Sequence, residues 1–193
     1  PEVADAVMKA GSVLGELGAT VEEVSLPLTV HGGVISAVLI GVEAAMTYRD
    51  WIRDDLHGFG HGNQIGLLTG SLMPAQAYYK VQKLRELVRR QVLGALENYD
   101  VLVLPTSRSC APLSQDDPTI TSKDMAARMP PVMTRPFNLA GAPALSVHSC
   151  FNSQGLSICL QIGGRPFHEE TVLKVGHAYE QNSPWHGARP PHA

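Results

Sequence analysis

The residues of this chain that could make or break bonds are few, and the lysines are the most telling. A serine nucleophile served by lysine needs a desolvated, neutral amine, because ammonium cannot accept a proton. The lysines are Lys9, Lys80, Lys83, Lys123 and Lys174. Lys80 and Lys83 fall on a solvated helix face, and Lys9 and Lys174 occupy ordinary helix positions. Only Lys123, in Thr121–Ser122–Lys123, lies in a long loop. Its first reading is a solvated loop residue. A self-contained hydrolase using Ser122 or Ser107 with Lys123 is the lesser alternative. His57 and His61 stand four apart, but Gly58 and Gly60 interrupt a regular helix and no third ligand is near, so no metal is expected. There is no G-x-S-x-G elbow, phosphate-binding loop or paired CxxC motif. These residues assign no catalytic group and call for no cofactor.

Cys110, Cys150 and Cys159 are too few and too irregular for a disulfide framework. Cys150 and Cys159 lie in apolar runs and read as small core residues. A reducing, cytoplasmic setting is the expectation. With 44% hydrophobic and 17% charged residues, the 193-residue chain has the composition of one globular unit. A net charge of −3 offers nucleic acid nothing. Lys80, Lys83, Arg85, Arg89 and Arg90 share the outer face of one expected helix and read as solvated. No apolar run approaches the roughly 20 residues of a membrane span, and no signal-peptide pattern is present. The start at Pro1, directly on a helical pattern, hints at truncation or processing.

The elements that would position any site follow from periodicity. Residues 2–17 carry Val3, Ala6, Val7, Ala10, Val13, Leu14 and Leu17 on one helical stripe, with Gly18 placed to end it. Thr20–Leu26 reads as a strand stopped by Pro27. A second helix is expected from Val34 to about Arg53, with Glu43 inside its apolar stretch. A buried carboxylate needs a partner, so Glu43 is a hydrogen-bond anchor before it is a site residue. The glycine-rich Leu56–Gly70 segment reads as a loop or broken helix. Pro74 opens a long helix to about Asn98, with Tyr78, Val81, Leu84, Val88, Val92 and Leu96 inward.

Val101–Leu104 is a continuous apolar strand ended by Pro105. Residues 107–131 form a long Ser/Pro/Asp/Thr-rich connection with a short helix near Asp124–Met129, a length that usually has a functional reason. Ala144–Cys150 and Leu156–Ile162 flank Asn152–Gly155 as a hairpin. His168–Glu180 is a last amphipathic helix, with Val172, Leu173, Val175, Gly176 and Tyr179 inward. Helix–glycine–strand order of this kind belongs to α/β architecture.

One extended pattern stands out. It runs Tyr99–Asp100–Val101–Leu102–Val103–Leu104–Pro105–Thr106, then Pro136–Phe137–Asn138–Leu139–Ala140–Gly141–Ala142–Pro143–Ala144–Leu145–Ser146–Val147. It continues with Gly155–Leu156, Leu160–Gln161–Ile162–Gly163–Gly164–Arg165–Pro166–Phe167, Glu169, Ala178–Tyr179–Glu180 and Pro184–Trp185–His186. In this order the pieces resemble the C-terminal portion of the amidase signature family, and Pro1–Glu2–Val3, Leu17–Gly18–Ala19, Val21–Glu22–Glu23–Val24 and Glu43 resemble its middle region. The resemblance spans nearly the whole chain, weakly over 55–75 and 107–130.

The resemblance implies an α/β fold in which this chain carries the C-terminal half, part of a mixed β-sheet covered by helices. It implies hydrolysis of a small carboxamide through an acyl-enzyme made by a lysine, a cis-linked serine and a nucleophilic serine. That lysine and the Gly/Ser-rich nucleophile segment are not in this chain. Catalytic residues are therefore expected in a missing N-terminal half, and this chain alone is expected to be inactive. Thr106, Asn138, Gly141 and Gln161 are its expected pocket support, with residues 105–137 nearest the pocket.

On the residues alone, each of these also has a scaffolding role. The Asn138 amide can tie a loop to backbone, and Gly141 permits a turn that a Cβ would obstruct. Gln161 is placed to bond across to the preceding loop, and Glu169 to stabilise a helix N-terminus. Two departures matter. His148 and Ser157 stand where many relatives carry proline, so a less rigid hairpin is expected. Gly66 and Pro131 stand near positions where glutamine-using members are expected to carry arginine and aspartate, which argues for a general amidase. The alternative is a non-catalytic remnant acting as a binding or assembly module, and a homodimer is a possible partner state. No nucleic-acid or membrane partner is expected.

Overall fold

A computed structural model of the chain describes residues 2–111, 133–185 and 187. The expected short helix near Asp124–Met129, together with Ser122, Lys123 and Pro131, lies outside them.

Three strands form an antiparallel sheet in the order β1-β3-β2, with β1 at Val101–Pro105, β2 at Ala144–Phe151 and β3 at Ser157–Gly164. Each strand shows one face to each helical layer. Val101, Val103, Leu145, Val147, Leu160 and Ile162 pack with Ala10 and Leu14 of α1 (Glu2–Glu16) and with Val172 and Tyr179 of the last helix. On the other face, Leu102 joins a core built with α2 (Gly32–Thr47), α5 (Ala75–Asn98) and α6 (Arg135–Ala140). That core holds Ile35, Leu39, Val88, Val92, Leu96, Phe137 and Leu139. Two short helices, α3 (Arg49–Asp54) and α4 (His61–Ser71), follow α2, and α7 (Glu169–Gln181) closes the described chain.

The hairpin turns where the sequence predicts. Asn152 Oδ1 accepts from the backbone N–H groups of Gln154 and Leu156, and Gly155 takes φ 77°. Gly18, at φ 96°, ends α1 as expected. The first helix is tied to the hairpin where Ser153 N–H donates to Glu2 Oε1 at 2.9 Å. This bond holds the Glu2 carboxyl below its ordinary value.

Several expectations are corrected. Thr20–Leu26 forms no strand. A strand needs a neighbour to pair with, and this segment pairs with none of the three described strands. The second helix breaks at Tyr48 into α2 and α3. The glycine-rich segment, by contrast, matches the expected broken helix: a 3-10 turn at Leu56–Gly58 precedes α4, where a Cβ on Gly70 would collide with the Gly41 carbonyl of α2. Pro27–Thr47 is long and apolar enough, by length and composition, to cross a membrane. Its inward residues Ile35 and Leu39 belong to the core described above, while Val30, Val34, Ile40 and Met46 are exposed. Glu43 is exposed rather than buried, yet it is partnered: Tyr78 Oη donates to it at 3.0 Å and accepts from Gln82 Nε2 at 2.8 Å. Leu84 and Leu173 also face solvent.

Helix α6 was legible only as a turn. Pro136 stands in its first turn and Gly141 follows it at φ 66°, the left-handed conformation suited to a helix end. Phe137 lies flat against β3 because position 163 is glycine; a Cβ there would sit inside the phenyl ring. Gly163→Ala is therefore expected to cost about 1–3 kcal/mol through overpacking. Gly94→Ala, in mid-helix with open space around it, is expected to stabilise by about 0.5–1 kcal/mol. Urea unfolding midpoints check both, and equal effects of the two would contradict this packing.

Candidate functional site

The expected pocket residues divide between the sheet and α6. Thr106 leaves β1 with its N–H donated to Cys159 O at 3.0 Å, while its own carbonyl accepts from Met133 N–H at 3.0 Å. The long connection thus departs and returns at one point. Thr106 Oγ1 and Ser146 Oγ are 2.7 Å apart. Gln161 of β3 stands in register between Leu104 and Ser146. Thr106, Ser146 and Gln161 are therefore brought together at one end of the sheet.

Gln161 does not make the bond expected of it. The residue is 4% exposed, and its Oε1 has no hydrogen-bond partner among the described residues. A buried carbonyl without a donor costs about 1–3 kcal/mol. Asn138 is exposed on α6, and only its backbone takes part in the local hydrogen bonding. The expected amide tie from its side chain to neighbouring backbone is not seen among the described residues. Gly141 makes the turn expected of it.

That turn is the most completely bonded feature of the site. The last four carbonyls of a helix have no partner within it. In α6, Phe137 O accepts from Ala142 N–H and Asn138 O from Gly141 N–H, the pairing of a Schellman end. Leu139 O accepts from Arg85 Nε at 3.0 Å, and Ala140 O accepts from Arg89 Nη1. Both arginines are half-buried, which corrects the reading of the basic cluster as wholly solvated. Their charge is well placed, since cations favour a helix C-terminus. Sequence reasoning missed Arg85, Arg89 and Ser146. Arg85 and Arg89 were signalled by their spacing, being four and eight residues beyond buried Val81 and so in phase with the core stripe of α5.

Two residues along β2 from Ser146, His148 borders a register shift. Its ring lies 4.6 Å from Phe151 and 5.9 Å from Trp185, centroid to centroid. Its Nε2 is buried without a partner among the described residues, and desolvation lowers its pKa from the ordinary 6.5. Among the described residues, no group of three or more His, Cys, Asp or Glu could hold a metal. The three cysteines are free thiols.

With this geometry in place, comparison with known proteins identifies the family. The profile of the Amidase family matches residues 1–173, and the chain belongs to that family. It is similar to the A subunit of glutamyl-tRNA(Gln) amidotransferase from Picosynechococcus sp., 35% identical over 214 residues, covering 98% of this chain and 44% of that protein. The corresponding subunit of Brevibacillus brevis is 34% identical, covering 98% of this chain and 43% of that protein. Among solved structures, an amidase superposes with a TM-score of 0.80 at 27% identity, covering 94% of this chain and 42% of that one. A bacterial aryl acylamidase of the amidase-signature family gives 0.81 at 24% identity, covering 98% and 43%, a likeness of fold. The chain spans less than half the length of the curated relatives it matches. The α/β architecture is that of part of the amidase-signature fold, and the family acts on amide C–N bonds.

The bonding of the site makes two outcomes testable. Arg85→Met should cost about 1–3 kcal/mol, the range for a hydrogen bond to a charged group, and should speed amide exchange at Gly141 and Ala142. An unchanged exchange rate there would refute the clamp. For His148, the folded protein holds the neutral ring, so the unfolded chain takes up a proton first as pH falls. Stability linked to His148 is present above pH 6.5 and lost as pH falls through its lowered folded value. His148→Phe should flatten unfolding free energy between about pH 7 and 5 relative to the parent chain.

Proposed function

We propose that this chain supplies scaffold and one pocket wall of an enzyme that hydrolyses the C–N bond of a small carboxamide through an acyl-enzyme. A lysine, a cis-linked serine and a nucleophilic serine would come from the part of the amidase fold that this chain does not span. The observation that carries this reading is the family match over residues 1–173 in a chain spanning 44% of its relative's length. Among the described residues, no lysine is hydrogen-bonded to a serine hydroxyl. Lys174 pairs with Glu170 at 2.6 Å, and Lys83 lies 4.6 Å from the Tyr79 ring centroid.

The surface supports a partner of this kind. Val30, Val34 and Leu72 are 79%, 72% and 84% exposed. Phe167 is 94% exposed and held at φ 65°, a costly conformation for a phenylalanine. Exposed apolar side chains of this kind are compatible with cover by another part of the protein. Thr106, Asn138, Gly141 and Gln161 remain the pocket-supporting residues of this reading.

A general carboxamide is favoured over glutamine. Gly66, near which glutamine-using members are expected to carry arginine, lies within α4 and has open space around it. The second reading, a component of a glutamine-dependent amidotransferase, rests on the curated relatives at 34–35% identity.

The test compares the isolated chain with the chain co-expressed with the N-terminal half of a matching amidase. Benzamide, propionamide and glutamine serve as substrates. The isolated chain should release no ammonia from any of them. The pair should hydrolyse benzamide or propionamide at least about tenfold faster than glutamine. Turnover by the isolated chain that a point change within it abolishes would overturn the proposal, and preference for glutamine would favour the second reading.

A further inference from the structure

A cavity of about 230 Å³ lies on the α1 and α7 side of the sheet, the face opposite α6. Nothing in the amidase reading uses it. Its walls are apolar: Ala6, Ala10 and Val13 of α1 on one side, Pro184 and Trp185 on the other. Trp185 is a fixed wall, because its ring stands edge-on to Phe151 at 5.3 Å and to His148 at 5.9 Å. An apolar cavity of about 150 Å³ already admits benzene, so this one has room for a benzene ring with a small substituent.

Its polar groups are Lys9, Ser149, Tyr179 and Ser183, whose Oγ accepts from Trp185 N–H, and they point to one kind of substituent. Ser149 and Tyr179 are 7% and 3% exposed, and their hydroxyls are 2.9 Å apart. One hydrogen closes that bond, whichever oxygen donates, and the second hydroxyl hydrogen is left to be donated elsewhere. Lys9 lines the same cavity and has no ion pair among the described residues. Cys150, also in the wall, does not neutralise it: burial pushes its thiol up, with Lys9 only opposing that shift. Glu2 keeps its negative charge, but its Oε1 is held by the Ser153 N–H rather than by Lys9. An ammonium and a spare hydroxyl donor beside apolar walls suit a ligand with an aromatic body and an anionic, acceptor-only head.

We propose that this cavity binds a small aromatic carboxylate, its ring between Val13 and Trp185 and its carboxylate at Lys9 and the Ser149–Tyr179 pair. This site is separate from the amidase pocket and stands whether or not that pocket is correctly assigned.

The experiment uses the whole chain with Trp51→Phe, a substitution at a 66% exposed position that leaves Trp185 as the sole tryptophan reporter. Benzoate is titrated against benzyl alcohol, which is similar in size and uncharged. Benzoate should change Trp185 fluorescence saturably, with an affinity on the order of millimolar for so small a ligand. Lys9→Met, at an exposed residue, should weaken benzoate about tenfold, as expected for loss of a charge-assisted hydrogen bond, and leave benzyl alcohol unchanged. Lys9→Gln provides a second variant, and Tyr179→Phe should weaken benzoate further. No saturable signal, equal affinity for both compounds, or benzoate binding insensitive to Lys9 would each overturn the proposal.

Discussion

The six residues of α6 depend on a glycine beneath them and two arginines beside them, and the layers of the molecule meet at that point. Phe137 can lie on the central strand only because Gly163 has no side chain. Held there, it joins Leu102 of the sheet to Val88, Val92 and Leu96 of α5 in one core. The far end of α6 would expose four carbonyls to a half-buried setting. A Schellman turn takes two of them and the guanidinium groups of Arg85 and Arg89 take the others. A helix of this length has no stability of its own. Its geometry is imposed by tertiary contacts at both ends.

The same arrangement explains why Thr106, Ser146 and Gln161 sit where they do. The antiparallel register places Gln161 between Leu104 and Ser146, and Gly163, two residues on, lies under Phe137. Scaffold and polar cluster therefore share one face of one strand. The opposite face is committed to α1 and α7 through Leu160, Ile162 and Val172. Period-two alternation in β3 thus separates two surfaces with different prospects. One carries the residues that the family resemblance associates with an amidase pocket, and the other carries a separate cavity.

Much of the fold was legible because its cues are local. The stripe of α1, the αL glycines at 18, 141 and 155, and the Asn152 turn each act over a few residues. The failures share a cause. Thr20–Leu26 reads locally as a strand, but a strand needs a paired neighbour, and this segment pairs with none of the three described strands. The basic residues of α5 were misread for the same reason. Helical phase put Arg85 and Arg89 near the core stripe, but only the position of α6 gave them something to bond.

By itself the sequence determined the family, the α/β class, the hairpin and the absence of a recognisable nucleophile segment, because these rest on residue types in a fixed order. The tertiary structure alone decided that Arg85 and Arg89 close the end of α6 and that Glu43 meets Tyr78 rather than lying buried. It also decided that Gln161 keeps a buried carbonyl without a donor among the described residues. The physical reason is reach. A turn or a helical stripe is specified by neighbours in the chain, whereas a hydrogen-bond partner some 35 to 54 residues away is specified by where two packed surfaces come to rest.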